Sequence, residues 1–231
     1  MHYPWVVWRF SWQTPQTALR TYSESDGADC RAMARSTSGG VILLGTHTLK
    51  FWSVTQKHVT LSSAEAELMA MVRCATECIG VAQLARSWAM DLEAHIYADS
   101  SAALAICQRQ GCGRLRHVRI GHLWVQERVS ARDLVLHKVP GEVNPADVLT
   151  KGLTPGKLQP LMQRMSQFYA DAEATSRVQL HTLGPIVAAL PPHLIVSGNR
   201  AEEGCLRDPF GCGGGCLAYR SVYAPTALRC C

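Results

Sequence analysis

The strongest constraint on this chain is the stretch over residues 64–88. Ser62 and Ser63 offer a helix cap, and no proline interrupts the apolar positions that follow, so the stretch reads as one long helix. The segments around it are short. Residues 19–24 read as a strand, and residues 39–44 and 49–55 as a hairpin joined through 45–48. Residues 95–98 and 134–139 read as two further strands, with helices over 101–108, over 117–129 and from Asn144 or Pro145 onward. The order β-β-β-α-β-α-α-β-α predicts a mixed five-stranded sheet flanked by helices, an α/β fold.

The long helix carries two glutamates that its geometry separates. At about 100° per residue, Glu65 shares a face with Thr76 and Gln83, which is polar. Glu67 shares the apolar face of Met71, Cys74, Cys78 and Ala85. The expectation is an exposed Glu65 that serves the cap and the helix dipole, and an inward Glu67. A buried carboxylate is costly unless something compensates it, and a cation is the natural candidate. Asp99 follows the strand 95–98, Glu24 ends the strand 19–24 with Asp26 in the turn beyond, and Asp147 lies in the first turn of the last helix. Each acid alone reads as a cap or a dipole-favoured residue. Together they form the oxygen-rich set that a hard divalent cation needs.

Charge adds a second clue. Of a formal net charge of +5, the stretch from Arg109 to Lys138 holds seven Lys or Arg against only Glu127 and Asp133. Such a local surplus is the footprint of a polyanion partner, or else a solvated helix face. The ten cysteines show no metal-ligand spacing, and Cys74 and Cys78 read as small core residues. The start of the chain lacks the basic and apolar regions of a secretory signal, and no apolar run reaches the ~20 residues of a bilayer span. The expectation is an intracellular protein, cytoplasmic or nuclear, with free thiols and no membrane partner. Residues 1–18 read as a remnant or linker, 19–153 as the domain, 154–172 as a trailing helix, and 173–231 as an unpatterned, poorly ordered Cys/Gly-rich tail.

Several blocks of residues fit one pattern. They are Arg35-Ser36-Thr37-Ser38-Gly39-Gly40, Gly45-Thr46-His47, Trp52-Ser53-Val54-Thr55-Gln56 and Leu61-Ser62-Ser63-Ala64-Glu65-Ala66-Glu67. Further on come Tyr97-Ala98-Asp99-Ser100-Ser101-Ala102-Ala103, Arg116-His117-Val118, Val139-Pro140-Gly141 and Asn144-Pro145-Ala146-Asp147-Val148-Leu149-Thr150-Lys151. In their order and spacing they resemble the ribonuclease H region of copia-type retrotransposon polyproteins.

The resemblance implies a four-acid site at Glu24, Glu67, Asp99 and Asp147, with Asp26 as a further candidate metal ligand. It implies two Mg²⁺ ions roughly 3.5–4 Å apart, or Mn²⁺ in their place, which promote hydrolysis of the RNA strand of an RNA–DNA hybrid. The basic run would supply the phosphate contacts, from Arg114, Arg116 and Arg119, and an upstream reverse transcriptase is a possible partner in a longer polyprotein. The family usually opens with Thr/Ser-Asp-x-Asp followed by an aromatic residue. Here Glu24 replaces the first aspartate, Gly27 replaces the aromatic, and Gly141-Glu142-Val143 fills the loop where cellular relatives carry a mobile histidine. These departures touch the metal site and not the fold. They leave open an impaired module that binds nucleic acid without cutting it, or a decayed retroelement fragment.

Overall fold

The computed structural model describes residues 6–27, 34–113, 117–118 and 120–169. Among the described residues, 8–168 form one compact unit, and 6, 7 and 169 belong to another. The first unit holds the sheet and the site. Arg114, Arg116 and Arg119 lie outside the described residues, as does the segment 173–231.

The strands are β1 (Val6–Trp8), β2 (Ala18–Ser25), β3 (Thr37–Leu44), β4 (His47–Thr55), β5 (Glu93–Ala98), β6 (Val135–Lys138) and β7 (Gln167–Tyr169). The helices are α1 (Ser63–Ser87), α2 (Ser101–Gln108), α3 (Trp124–Ser130) and α4 (Pro155–Arg164). Five strands form one mixed sheet in the order β4-β3-β2-β5-β6, and β1 and β7 form a separate two-stranded sheet. β2, β3 and β4 pair antiparallel, whereas β2–β5 and β5–β6 pair parallel. The expected α/β architecture is therefore present.

α1 lies across one face of the sheet. Its Leu68, Met71, Cys74 and Cys78 pack with Leu19, Ile42, Trp52 and Ile96. Each large apolar side chain removed from water in this way stabilises the fold by roughly 1.5–3 kcal/mol. By length and composition α1 is long and apolar enough to cross a bilayer, although Arg73 and Glu77 interrupt its apolar stretch. Its buried face is the core of this layer. Burial pushes the thiols of Cys74 and Cys107 up to about 12, so both stay protonated as small apolar residues.

The opposite face is covered by a short 3₁₀ helix, Pro145–Leu149, and by residues around α4. Tyr22, Val41 and Leu43 pack there with Val139, Ala146 and Met165. Gly39 makes this close approach possible. A Cβ at that position would lie 2.6 Å from Thr150 Cγ2 and 3.1 Å from the Ala146 carbonyl oxygen. Gly39→Ala is expected to lift the 3₁₀ helix from β3 and to destabilise the domain by about 1–3 kcal/mol. A melting temperature equal to that of wild type would show that the packing gives way freely.

Three expectations change in detail. The last helix of the domain is this 3₁₀ helix rather than an α-helix. Asn144 accepts from the Ala146 N–H, and Thr150 and Lys151 both donate to the Asp147 carbonyl, which closes a tight turn. The expected helix over 117–129 begins only with the 3₁₀ turn Ile120–Leu123 and continues as α3. The trailing helix stops at Arg164. There Ser166 adopts a φ of +55° and donates through its hydroxyl to the Thr46 carbonyl, turning the chain into β7.

Candidate metal centre

Strand polarity gathers the acids. β2, β5 and β6 run parallel, so their carboxyl ends share one edge of the sheet, where ligands collect in such folds. In the β2–β5 register Ser23 faces Ala98. The next residues are Glu24 and Asp99, which therefore emerge side by side. β4 is antiparallel to β3 and so ends at the same edge, and α1 starts there. Glu67, early in α1, points its carboxylate back over the ends of the strands.

Ligand oxygens of Glu24, Glu67 and Asp99 lie within 4.8 Å of one another. Glu24 is 2% exposed and Glu67 8%. The Ser25 N–H donates to Glu67 Oε1 at 3.3 Å, while Glu67 Oε2 is buried with no hydrogen-bond partner. Asn144 is fully buried and donates through Nδ2 to the Ser23 carbonyl at 3.0 Å and to Glu24 Oε2 at 3.1 Å. One amide thus holds both the strand end and its carboxylate. Gln56 donates to the hydroxyls of Ser25 and Ser38 and to the Ala66 carbonyl, tying the ends of β2 and β3 to α1.

Asp147 joins this trio through Lys151. Its Oδ2 accepts from Lys151 Nζ at 3.2 Å, and the same ammonium lies 2.8 Å from Glu24 Oε1. Asp147 Oδ1 is buried without a partner. Lys151 thus bridges Glu24 and Asp147, and Glu24 and Asp99 both act on the Asp147 carboxyl. Asp26 is not among the three converging ligands. Its Oδ1 accepts from the Thr37 N–H at 2.5 Å and its own N–H donates to the Thr37 carbonyl, which uses the side chain to close the β2–β3 ladder.

Glu65 differs from the expectation of exposure. It is 6% exposed, because its carboxylate accepts from the Leu61 N–H at 2.8 Å and pairs with His117 Nε2 at 3.0 Å. Thr76 and Gln83, on the same face further along, are exposed as the periodicity requires. The capping role remains. Ser62 accepts from the Glu65 N–H, and the glutamate reaches back to the residue before the cap.

The electrostatics are those of a site short of positive charge. Burial, with the nearby charges of Glu24 and Asp99, pushes the Glu67 carboxyl up to about 8. Burial pushes Glu24 up to about 7; the Lys151 bond works against this, and the Asp99 and Asp147 charges add to it. Burial likewise raises Asp147. Lys151 loses solvation, but its bond to Glu24 and the two carboxylate charges hold its ammonium above the usual lysine range.

A carboxyl with a raised folded-state pKa binds more protons folded than unfolded. Its contribution to stability is then full at low pH and falls as pH rises from the unfolded value toward the folded one. Without divalent ions, the domain is expected to lose stability between about pH 4.5 and 8. The drop in melting temperature should be roughly 5 °C, the size that about 2 kcal/mol produces in a domain of this length. Glu67→Gln should remove most of this slope. A slope that is flat in wild type, or unchanged in Glu67→Gln, would contradict the assignment.

The residues fit a hard divalent cation. The donors are all carboxylate oxygens, three converge, and the orphaned Glu67 Oε2 is an acceptor in place with nothing to accept from. Asn144 and Lys151 were not singled out as site residues from the sequence. Asn144 reads there as a helix start, and Lys151 only as the end of a block. Their contacts with Glu24 span more than a hundred residues, beyond any local period.

Three transposon proteins share sequence with the chain. It is 26% identical over 143 residues to the retrovirus-related Pol polyprotein from transposon TNT 1-94 of Nicotiana tabacum, covering 61% of this chain and 11% of that protein. It is 29% and 28% identical over 140 residues to the Pol polyproteins from transposons RE1 and RE2 of Arabidopsis thaliana, covering 59% of this chain and 10% of each. The homologues are thus retrotransposon Pol polyproteins, and the chain spans about a tenth of their length. No family model matches. Among solved structures, LC11-RNase H1 in complex with an RNA/DNA hybrid is similar at 22% identity and a TM-score of 0.39, covering 57% of this chain and 93% of that one. An N-terminal RNase H domain from Mycobacterium tuberculosis is similar at 16% identity and a TM-score of 0.36, covering 63% and 98%.

Proposed function

We propose that residues 19–153 are the ribonuclease H domain of a copia-type retrotransposon Pol polyprotein, and that the domain cuts the RNA strand of an RNA–DNA hybrid. The observation that carries this reading is the convergence of Glu24, Glu67 and Asp99 at the shared carboxyl edge of β2 and β5. The transposon homologues support it independently.

Glu24, Glu67 and Asp99 would hold the divalent metal, with Asp147 as a further ligand once released from Lys151. Bound there, Mg²⁺ or Mn²⁺ would supply an activated water and neutralise charge at the leaving oxygen. The protein's own task is placement. Asn144 and the Ser25 N–H fix two of the carboxylates, and burial keeps bulk water from competing for them. The hybrid would be recognised by groove shape and 2′-hydroxyls, with phosphates held by the basic run that includes Arg114, Arg116 and Arg119. A reverse transcriptase upstream in a longer polyprotein and an intracellular setting belong to the same reading.

One observation favours a second reading. The first acid is a glutamate already engaged by Lys151 and Asn144, as it would be in a module that binds hybrid without cutting it. Incubating the chain with labelled hybrid, duplex RNA and single-stranded RNA separates the two. Cleavage confined to the RNA of the hybrid, leaving 5′-phosphate and 3′-hydroxyl ends, supports the enzyme. Hybrid bound equally well with and without divalent ion, and never cut, supports the module.

A further inference from the structure

Lys151 is placed by the backbone as well as by its charge. Its N–H donates to the Asp147 carbonyl at 2.9 Å, at the end of the 3₁₀ helix that Gly39 lets approach β3. Its side chain is 39% exposed, and its ammonium meets Glu24 Oε1 and Asp147 Oδ2 at 2.8 and 3.2 Å. The far side of Glu24 faces Glu67 and Asp99, where the buried Glu67 Oε2 has no partner. The acids thus divide into a half already neutralised and a half that is not.

We propose that Lys151 is a built-in counter-cation that limits the free protein to one divalent ion, held by Glu24, Glu67 and Asp99, and that a second ion enters only when Lys151 withdraws from Asp147. This rests on the metal-site reading above. Charge balance gives the reason. Once a bound metal has displaced their protons, four carboxylates and one ammonium carry three unbalanced negative charges for metal to meet. One divalent ion takes up two of these, and a second would overshoot by one. With the ammonium withdrawn or removed, four carboxylates balance two divalent ions. The flexible, half-exposed lysine stem allows the withdrawal.

Calorimetric titration of the full chain with Mn²⁺, without nucleic acid, tests this. Wild type is expected to bind one ion per chain and Lys151→Met two, the first at least about tenfold tighter than in wild type. Lys151→Arg keeps the charge and should bind one. Glu67→Gln, in either background, should lose the tight ion. Lys151→Gln stands in if the methionine variant fails to give a cooperative melt. Two ions in wild type, or unchanged number and affinity in Lys151→Met and Lys151→Gln, would overturn the proposal and leave the metal-site reading intact. No Mn²⁺ binding by any folded variant would overturn both.

Discussion

Asp99→Asn is expected to lower hybrid cleavage by well over a hundredfold while leaving the fold in place. Outer-shell changes at metal sites cost about 10–100-fold, and Asp99 is one of the three converging ligands. Its side chain is half-buried and has no hydrogen bond to the rest of the protein among the described contacts, so the amide should not disturb packing. The same substitution should weaken Mn²⁺ binding in the absence of nucleic acid. Cleavage within threefold of wild type by a variant with a wild-type melt would remove Asp99 from the site.

Glu24→Asp is expected to raise Mg²⁺-dependent cleavage by about tenfold or more. Glu24 is one methylene longer than the aspartate that the resemblance implies, and Mg²⁺ demands near-ideal octahedral geometry at about 2.0–2.1 Å. The longer side chain also lets Oε1 reach Lys151 at 2.8 Å, which spends the carboxylate on an internal ion pair. Shortening it withdraws the carboxylate from Lys151. Mn²⁺ accepts similar oxygen ligands, and its advantage over Mg²⁺ should shrink in the variant. Asp26→Asn is not expected to abolish cleavage, since the Asp26 carboxylate is engaged by the Thr37 N–H and is not among the three converging ligands. Loss of cleavage in Asp26→Asn, with none in Glu24→Gln, would mean that the turn rearranges and that Asp26 is the working ligand.

Much of the fold was legible because it is periodic. The continuous apolar run of β3 between two covered faces, the cap at Ser62, and the inward face of Met71, Cys74 and Cys78 all follow from local pattern, whereas α2 is capped by Ser100 rather than by Asp99. The candidate acids were legible by position, at strand ends and helix starts. Their division was not. Asp26 closes a ladder, Asp147 is held by Lys151, and Glu65 is buried by His117, fifty-two residues away. Lys151 is only four residues from Asp147, but its reach to Glu24 and that of His117 to Glu65 join segments that no window of sequence contains. The 3₁₀ helix is a similar case. Asn144-Pro145 marks a start in the sequence, but how tightly the turn winds is set by its packing against Gly39.

The central claim is that these carboxylates use divalent metal to cut the RNA of a hybrid. Its most direct test is single-turnover cleavage of an end-labelled RNA–DNA hybrid by the folded full chain, with Mg²⁺, Mn²⁺ or EDTA. RNA-strand products are expected with either ion, faster with Mn²⁺, and none in EDTA. Equal cleavage in EDTA, or no cleavage with either ion by wild type and by Glu24→Asp alike, would contradict the claim.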